Sequence, residues 1–262
     1  EREFHFTPAV LDAFHSALAV LDRVEADYLK ILDAGFEAVF VFDPRYPKRL
    51  ASVLKSQAPS VLYCFGNAAI LQEASAAILG DRDVSERGGM IAYMAAKELS
   101  RRGIPVISGL ARGADTIAHR SAVENGGRTA AVLPYGAFHT SIPQSLQHVF
   151  NPDTFLLVSP FYPSTAYSAF NSLSRNRVVA ALARAVFIVE APAEGGIFDA
   201  GKSAHHLSVP LYVTEYAPPP QSASGNSRLI AEFAAHPVRG RIEGETLVPS
   251  LEKLIADIKF PS

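Results

Sequence analysis

Val106-Ile107-Ser108-Gly109-Leu110-Ala111-Arg112-Gly113-Ala114-Asp115-Thr116-Ile117-Ala118-His119 runs from a short β-branched apolar stretch, through a turn with two glycines, into residues at helical spacing. The apolar run predicts a strand buried on both faces, the glycines a tight turn, and Ala114 opens a helix over 114–125. The chain repeats this unit in both directions. Strands are predicted at 38–42, 61–65, 76–79, 105–107, 129–133, 154–158, 186–189 and 210–213, and helices at 90–102, 114–125, 141–150, 169–183 and 197–207. Strands alternating with helices in this way make parallel sheets through right-handed crossovers. The fold class is α/β, a doubly wound, mostly parallel sheet with helices on both faces.

Outside this core the pattern changes. Apolar residues at helical spacing over 8–21 and 25–34, with Gly35 placed as a C-terminal cap, predict a small helical lead-in. Ala217-Pro218-Pro219-Pro220-Gln221-Ser222-Ala223-Ser224-Gly225 is a loop, and a short amphipathic helix is expected over 247–258. The chain thus divides into a lead-in (1–37), an α/β domain (38–235) and a C-terminal tail with a short helix (236–262).

Composition narrows the function. With 48% hydrophobic and 19% charged residues and a mean hydropathy of +0.13, the 262-residue chain reads as an ordinary globule with no apolar run long enough to span a membrane. The lone Cys64 excludes an intrachain disulfide and a cysteine-based metal site, and suits a cytoplasmic location. It lies in the run Val61-Leu62-Tyr63-Cys64-Phe65 and reads as a buried structural residue. A net charge of −2 argues mildly against nucleic acid, although a local arginine cluster on a near-neutral protein binds phosphates.

In an open α/β sheet, ligands bind outside the carboxyl ends of the strands, where helix N-termini favour anions. Four strands end in glycine-bearing turns: Gly80-Asp81-Arg82; Ser108-Gly109 with Arg112-Gly113; Pro134-Tyr135-Gly136; and Glu190-Ala191-Pro192-Ala193-Glu194-Gly195-Gly196. No P-loop and no G-x-G-x-x-G fingerprint is present. Arg175-Asn176-Arg177 lies inside a helical pattern, where residues two apart point about 200° apart. One arginine can therefore reach the ligand edge while the other serves structure. Asp115 and His119, spaced i, i+4, share a helix face and form either an acid/base pair or a structural clamp on the loop. Glu190 and Glu194 are either carboxylates for hydrolysis or for a ribose hydroxyl, or structural. His205-His206 reads as a helix-end pair. No residues have metal-ligand spacing, and no cofactor is expected.

The run 106–119 and its continuation Gly126-Gly127-Arg128-Thr129-Ala130-Ala131-Val132-Leu133-Pro134-Tyr135-Gly136 closely resemble the signature of the DprA/Smf DNA-processing family. The other pieces follow in the family's order. Asp43-Pro44-Arg45-Tyr46-Pro47 and Pro59-Ser60-Val61-Leu62-Tyr63 resemble its lead-in, and Gly80-Asp81-Arg82 stands where the family has Gly-Ser-Arg. Phe170 with Arg175-Asn176-Arg177 is similar to its Phe…Arg-Asn-Arg helix, and Gly225-Asn226-Ser227-Arg228-Leu229-Ile230 to its closing element. The resemblance covers roughly residues 35–235. It implies an extended Rossmann-like fold, a homodimer, single-stranded DNA binding without catalysis, and delivery of that DNA to a RecA-type recombinase in natural transformation. By carry-over, Gly80, Arg82, Ser108, Gly109, Arg112, Gly113, Arg175, Asn176 and Arg177 would contact or support phosphates. Asp115, His119, Gly136, Glu190, Gly195 and Gly196 would be possible pocket residues.

The chain departs from the family at marked places. Glu194-Gly195-Gly196-Ile197-Phe198-Asp199-Ala200 replaces a hydroxyl-rich Ser-Gly-Ser-Leu-x-Thr-Ala loop, and no Lys or Arg lies between Gly136 and Phe150. Ser159-Pro160 and Thr214-Glu215 also differ, and no clear winged-helix domain follows. Two other readings use the same pocket: a nucleotide-binding sensor, and a nucleoside-monophosphate phosphoribohydrolase of the lysine-decarboxylase-like (LOG) type. The motif of the latter is only echoed by Glu194-Gly195-Gly196.

Overall fold

The computed structural model describes residues 7–243 and 246–260. Two helices lead, α1 (Pro8–Leu18) and α2 (Leu21–Asp33), followed by β1 (Glu37–Phe40), α3 (Lys48–Leu54), β2 (Val61–Phe65) and β3 (Ala76–Leu79). The βα units follow: α4 (Glu86–Arg101), β4 (Val106–Ser108), α5 (Ala114–Glu124), β5 (Thr129–Val132), β6 (Phe155–Ser159), α6 (Ala169–Leu182), β7 (Ala185–Ile188), α7 (Gly196–His206) and β8 (Leu211–Thr214). The chain continues through α8 (Asn226–Glu232), β9 (His236–Val238), the hairpin β10 (Gly240–Glu243) and β11 (Thr246–Pro249), and α9 (Glu252–Lys259). Among the described residues no helix is long and apolar enough to cross a membrane.

Among the described residues nine strands form one sheet in the order β1-β2-β6-β5-β4-β3-β7-β8-β9. From β6 to β9 all pairings are parallel; β1 and β2 are antiparallel additions at one edge. The chain winds outward from β3 through β4, β5 and β6, then returns through α6 to place β7 on the other side of β3. The carboxyl ends of β3, β4 and β7 therefore surround the switch point, where a crevice opens in this architecture. This is the α/β sheet expected from the alternation, in the extended Rossmann-like form that the family resemblance implies.

Burial explains why these segments are strands. All four residues of β3, β5, β7 and β8 are buried, as β-strands covered on both faces require. One face carries α4, α5 and α9, whose Ala92, Ala95, Ala96, Ala118 and Ala122 let the helices close on Ile78, Val106 and Phe187. The other carries α3, α6, α7 and α8 over Ala77, Leu79, Ile107 and Val186. Cys64 is fully buried, and burial pushes its thiol up in pKa, away from reactive thiolate.

Two predicted elements differ. Residues 141–150 form only a single 3₁₀ turn, Gln144–Leu146. Pro143 has no N–H and disfavours helix at Ile142, so Leu146 and Phe150 cap Phe155 and Leu157 from an irregular segment. Residues 247–258 split into β11 and α9 because Pro249 cannot continue a helix from Val248. The expected tail begins with β9, which pairs with β8, and α9 buries Leu254, Ile255 and Ile258 on the α4/α5 face. At the other end Gly35, with φ +79°, caps α2, and the next N–H, of Phe36, donates to Ile31 O at 3.0 Å.

Candidate functional site

The loops after β3 and β4 are built as one piece. Asp81 N donates to Glu190 O at 2.9 Å, and Ala114 N to Asp81 O at 3.3 Å. Gly113 lies between them at φ +86°, where a Cβ would sit 2.5 Å from both Asp81 O and Arg82 O. Only glycine fits both that dihedral and that contact. At Gly109 a Cβ would overlap Arg175 Nη1 and Asp115 Oδ2, so the glycine is what leaves room for these two charged groups beside the loop.

Arg175 and Asp115 form the floor. Arg175 is buried, reaches under the carboxyl edge from α6, and donates from Nη1 to Val132 O at 2.7 Å. Asp115, from the first turn of α5, accepts the Ala111 N–H at 3.4 Å. Burial pushes the Asp115 carboxyl up and the Arg175 guanidinium down, and each one's charge opposes the other's shift. Beneath them Ser108 Oγ donates to Ile78 O at 2.5 Å. His119 lies between Gly109 O (Nε2, 2.5 Å) and Thr129 Oγ1 (Nδ1, 2.6 Å). A carbonyl can only accept, so Nε2 carries the proton, and the Thr129 hydroxyl that faces Nδ1 also lies 2.8 Å from Val106 O. Asp115 and His119 share a helix face but not a bond: the pair is a clamp on the loop.

Above this floor opens a cleft of about 450 Å³. Gly80, Arg82, Asp115, Arg175, Asn176, Gly195 and Gly196 all line it, so the structure brings together seven of the residues singled out from sequence. Gly195 and Gly196 present the N-terminus of α7, and Asn176 Nδ2 donates to Gly196 O at 3.1 Å. Arg112 and Gly113 stand at the rim, with Ser108, Gly109 and His119 below. A larger cleft of about 770 Å³ lies by the first turn of α4 and the triple-proline loop, lined by Met90 and Leu247. It is lined by loops that follow β3 and β8 but holds none of the glycines and arginines above, so chemistry rather than size decides for the smaller one.

Three expected residues lie elsewhere. Arg177 is exposed on the other side of α6 and donates from Nη2 to Gln57 Oε1 at 2.5 Å, as the two-residue helical offset requires. Gly136 is consumed by packing, its N–H donating to Thr165 O at 2.8 Å. Glu190 turns to the opposite face, fully buried, and accepts from Ser85 N (2.8 Å), Ser85 Oγ (2.5 Å), Tyr216 OH (2.9 Å) and Ser222 Oγ (2.7 Å). It anchors the N-terminus of α4, where a negative charge is favoured.

Sequence reading missed Tyr167. Its hydroxyl is 3.1 Å from Arg82 Nη2, which donates to it; this bond, with the charges of Asp115 and Asp81, holds the Arg82 guanidinium above its usual pKa. Tyr167 sits in a loop with no motif around it. The acidic departure read from the sequence at Glu194 and Asp199 is part of a wider acidic lining. Asp81, Asp83, Glu194 and Asp199 line the cleft with Asp115, against Arg82 and Arg175. Arg112 is paired to Asp83, and Lys202 to Asp199 at 2.5 Å. Among the described residues no group of three His, Cys, Asp or Glu gathers as a metal site.

Residues 37–243 match the family model for DNA recombination-mediator protein A. The DNA processing protein DprA of Streptococcus pneumoniae is 32% identical over 163 residues, which are 62% of this chain and 56% of that protein. The chain spans about half the length of the curated relatives it matches. The crystal structure of Streptococcus pneumoniae DprA superposes with a TM-score of 0.70 and 28% identity, covering 78% of this chain and 71% of the other. Helicobacter pylori DNA processing protein A, described for its single-stranded DNA binding mode, superposes at 0.66 with 24% identity, over 77% and 90%. At that identity the likeness is one of fold.

Proposed function

The chain belongs to the DNA recombination-mediator protein A (DprA/Smf) family, and from that premise we propose that its cleft holds single-stranded DNA as a binding protein rather than an enzyme. The observation that carries the reading is the convergence of Arg82, the buried Arg175 and the α7 N-terminus on one cleft at the switch point. Backbone N–H groups and fixed guanidinium groups hold phosphates without reading bases, so binding is sequence-tolerant and salt-sensitive. His119 is sealed under the loop and both its ring nitrogens are engaged there, which favours binding over turnover. In this reading the protein is a cytoplasmic homodimer that protects incoming strands and passes them to a RecA-type recombinase.

The carboxylates around the cleft favour a second reading. Five line it against two arginines, a balance that weakens a polyanion's hold, and a cleft of about 450 Å³ is of a size for one small ligand. In that reading the site senses a nucleotide.

The test is fluorescence anisotropy of a labelled oligothymidylate at low and high salt, with Arg82→Ala alongside and a mononucleotide as competitor. Salt-sensitive binding weakened by Arg82→Ala supports the first reading. Failure of the strand to bind at low salt, with tight binding of the mononucleotide, replaces it by the second.

A further inference from the structure

Resting on the reading that the cleft holds a strand, we infer that Glu190 is a positioning residue that sets Arg82 for its phosphate from the opposite face of the sheet. Arg82 stands in the loop 81–85 between β3 and α4, and on either side of it the loop is tied to this one residue. Before Arg82, Asp81 N donates to Glu190 O at 2.9 Å. After it, Ser85 N donates to Glu190 Oε2 at 2.8 Å and Ser85 Oγ to Oε1 at 2.5 Å. From this loop the Arg82 side chain reaches Tyr167 OH at 3.1 Å, a single neutral partner. The direction of the guanidinium therefore depends on where the backbone is held, and a binding group is as well placed as the bonds that support it.

The Glu190 carboxylate is fully buried and accepts from four groups: Ser85 N, Ser85 Oγ, Tyr216 OH at 2.9 Å and Ser222 Oγ at 2.7 Å. None of them is a cation, and Arg87 lies over the Tyr216 ring, 5.1 Å from its centroid. Burying a carboxylate without a cation is costly unless its lone pairs are satisfied, and an acceptor-only group is what four converging donors require. Room for it is made in the first turn of α4, where a Cβ at Gly88 would overlap Glu190 Oε1 and Cδ. Tyr216 and Ser222 flank the triple proline, whose Pro218, Pro219 and Pro220 wall the larger cleft together with Ser85. Neither lines the strand cleft. The network runs from that wall, through the carboxylate, to both ends of the Arg82 loop.

The test is a double-mutant cycle on the full chain, read by anisotropy of labelled oligothymidylate at low salt. Glu190→Gln and, separately, a Tyr216→Phe/Ser222→Ala variant are measured in the parent and in the Arg82→Ala background. Far-UV circular dichroism and the unfolding midpoint check the fold. Glutamine keeps the volume but sets an amide donor where the carboxylate accepts. Both changes are expected to weaken binding several-fold, by no more than Arg82→Ala itself, and to add nothing once Arg82 is gone, as residues acting as one unit do. Should Glu190→Gln fail to fold, the Tyr216→Phe/Ser222→Ala variant carries the same cycle. Weakening of equal size in both backgrounds overturns the inference, because the network then acts through the fold at large and not through Arg82. Unchanged affinity in the folded variants also overturns it, and leaves strand binding by the cleft intact. A parent chain that binds no strand at low salt overturns the proposed reading and this inference together.

Discussion

His119 Nε2 donates to the carbonyl oxygen of Gly109 at 2.5 Å, tying the second turn of α5 to the loop that forms the cleft floor. The ring also packs at a tilt against Phe155, with centroids 5.0 Å apart. Because no water reaches it, the imidazole is held neutral: burial, and to a lesser degree the Arg175 charge, lower its pKa to about 4 despite the Gly109 carbonyl.

That relationship has a pH signature. In the unfolded chain the group titrates at 6.5, and in the fold at about 4. Between those values the unfolded state binds a proton that the folded state refuses, so stability is lost as pH falls through this window. The difference is on the order of 3 kcal/mol, at about 1.4 kcal/mol per pH unit. Urea unfolding from neutral pH to about pH 4.5 should show this slope, and His119→Gln should flatten it while costing about 2 kcal/mol at neutral pH through the lost clamp. A variant with the wild-type slope would show that other groups set the acid limit.

Gly113 and Gly126 make a matched pair. Both have positive φ, +86° and +73°, but a Cβ at Gly126 meets nothing within 4 Å whereas one at Gly113 strikes Asp81 O and Arg82 O. Gly126→Ala is expected to cost about 1 kcal/mol, the left-handed penalty alone. Gly113→Ala is expected to cost at least about 3 kcal/mol, because backbone must move. Equal melting temperatures for the two variants would refute the contact argument.

The fold was legible because its strands are apolar runs separated by glycine turns and helices, a pattern that hardly depends on what each side chain touches. So was part of the cleft: Gly80, Arg82 and Gly195-Gly196 lie where strand ends must lie. The remainder depends on direction. Glu190 follows β7 as a site residue should, yet it points to Ser85, Tyr216 and Ser222, partners that only the assembled sheet brings near. Tyr167 enters from a loop before α6, and its tie to Arg82 spans 85 positions. Pro143 stands inside the helix predicted over 141–150, and in the fold the proline prevails.

The acidic lining makes a prediction opposite to the usual loss of function. Asp83 and Glu194 line the cleft, and the Asp83 side chain is paired with Arg112. Asp83→Asn frees Arg112 for a phosphate, and Glu194→Gln removes a charge beside Gly195. The double variant should bind oligothymidylate about three-fold more tightly at low salt, with the gain fading as screening increases. Unchanged or weaker binding at low salt would mean that the strand does not pass this rim.

Arg175 and Arg177 separate the cleft from the rest of α6. Arg175 is buried and makes the floor, so Arg175→Ala would unsettle the fold as well as the site and is a poor probe of either. Arg177 and Arg82 are both accessible: Arg177 lies against Gln57, and Arg82 against Tyr167 at the cleft mouth. Arg82→Ala is expected to weaken binding about ten-fold, the loss of one charge-assisted phosphate contact of about 1.4 kcal/mol, and to lower the salt slope by about one. Arg177→Ala should leave both affinity and slope unchanged, with thermal stability within about 0.5 kcal/mol of the parent. If instead Arg177→Ala weakened binding as much as Arg82→Ala, the strand would have to wrap from the cleft around α6 to the Gln57 side, and the DNA path would be a surface groove rather than the switch-point cleft.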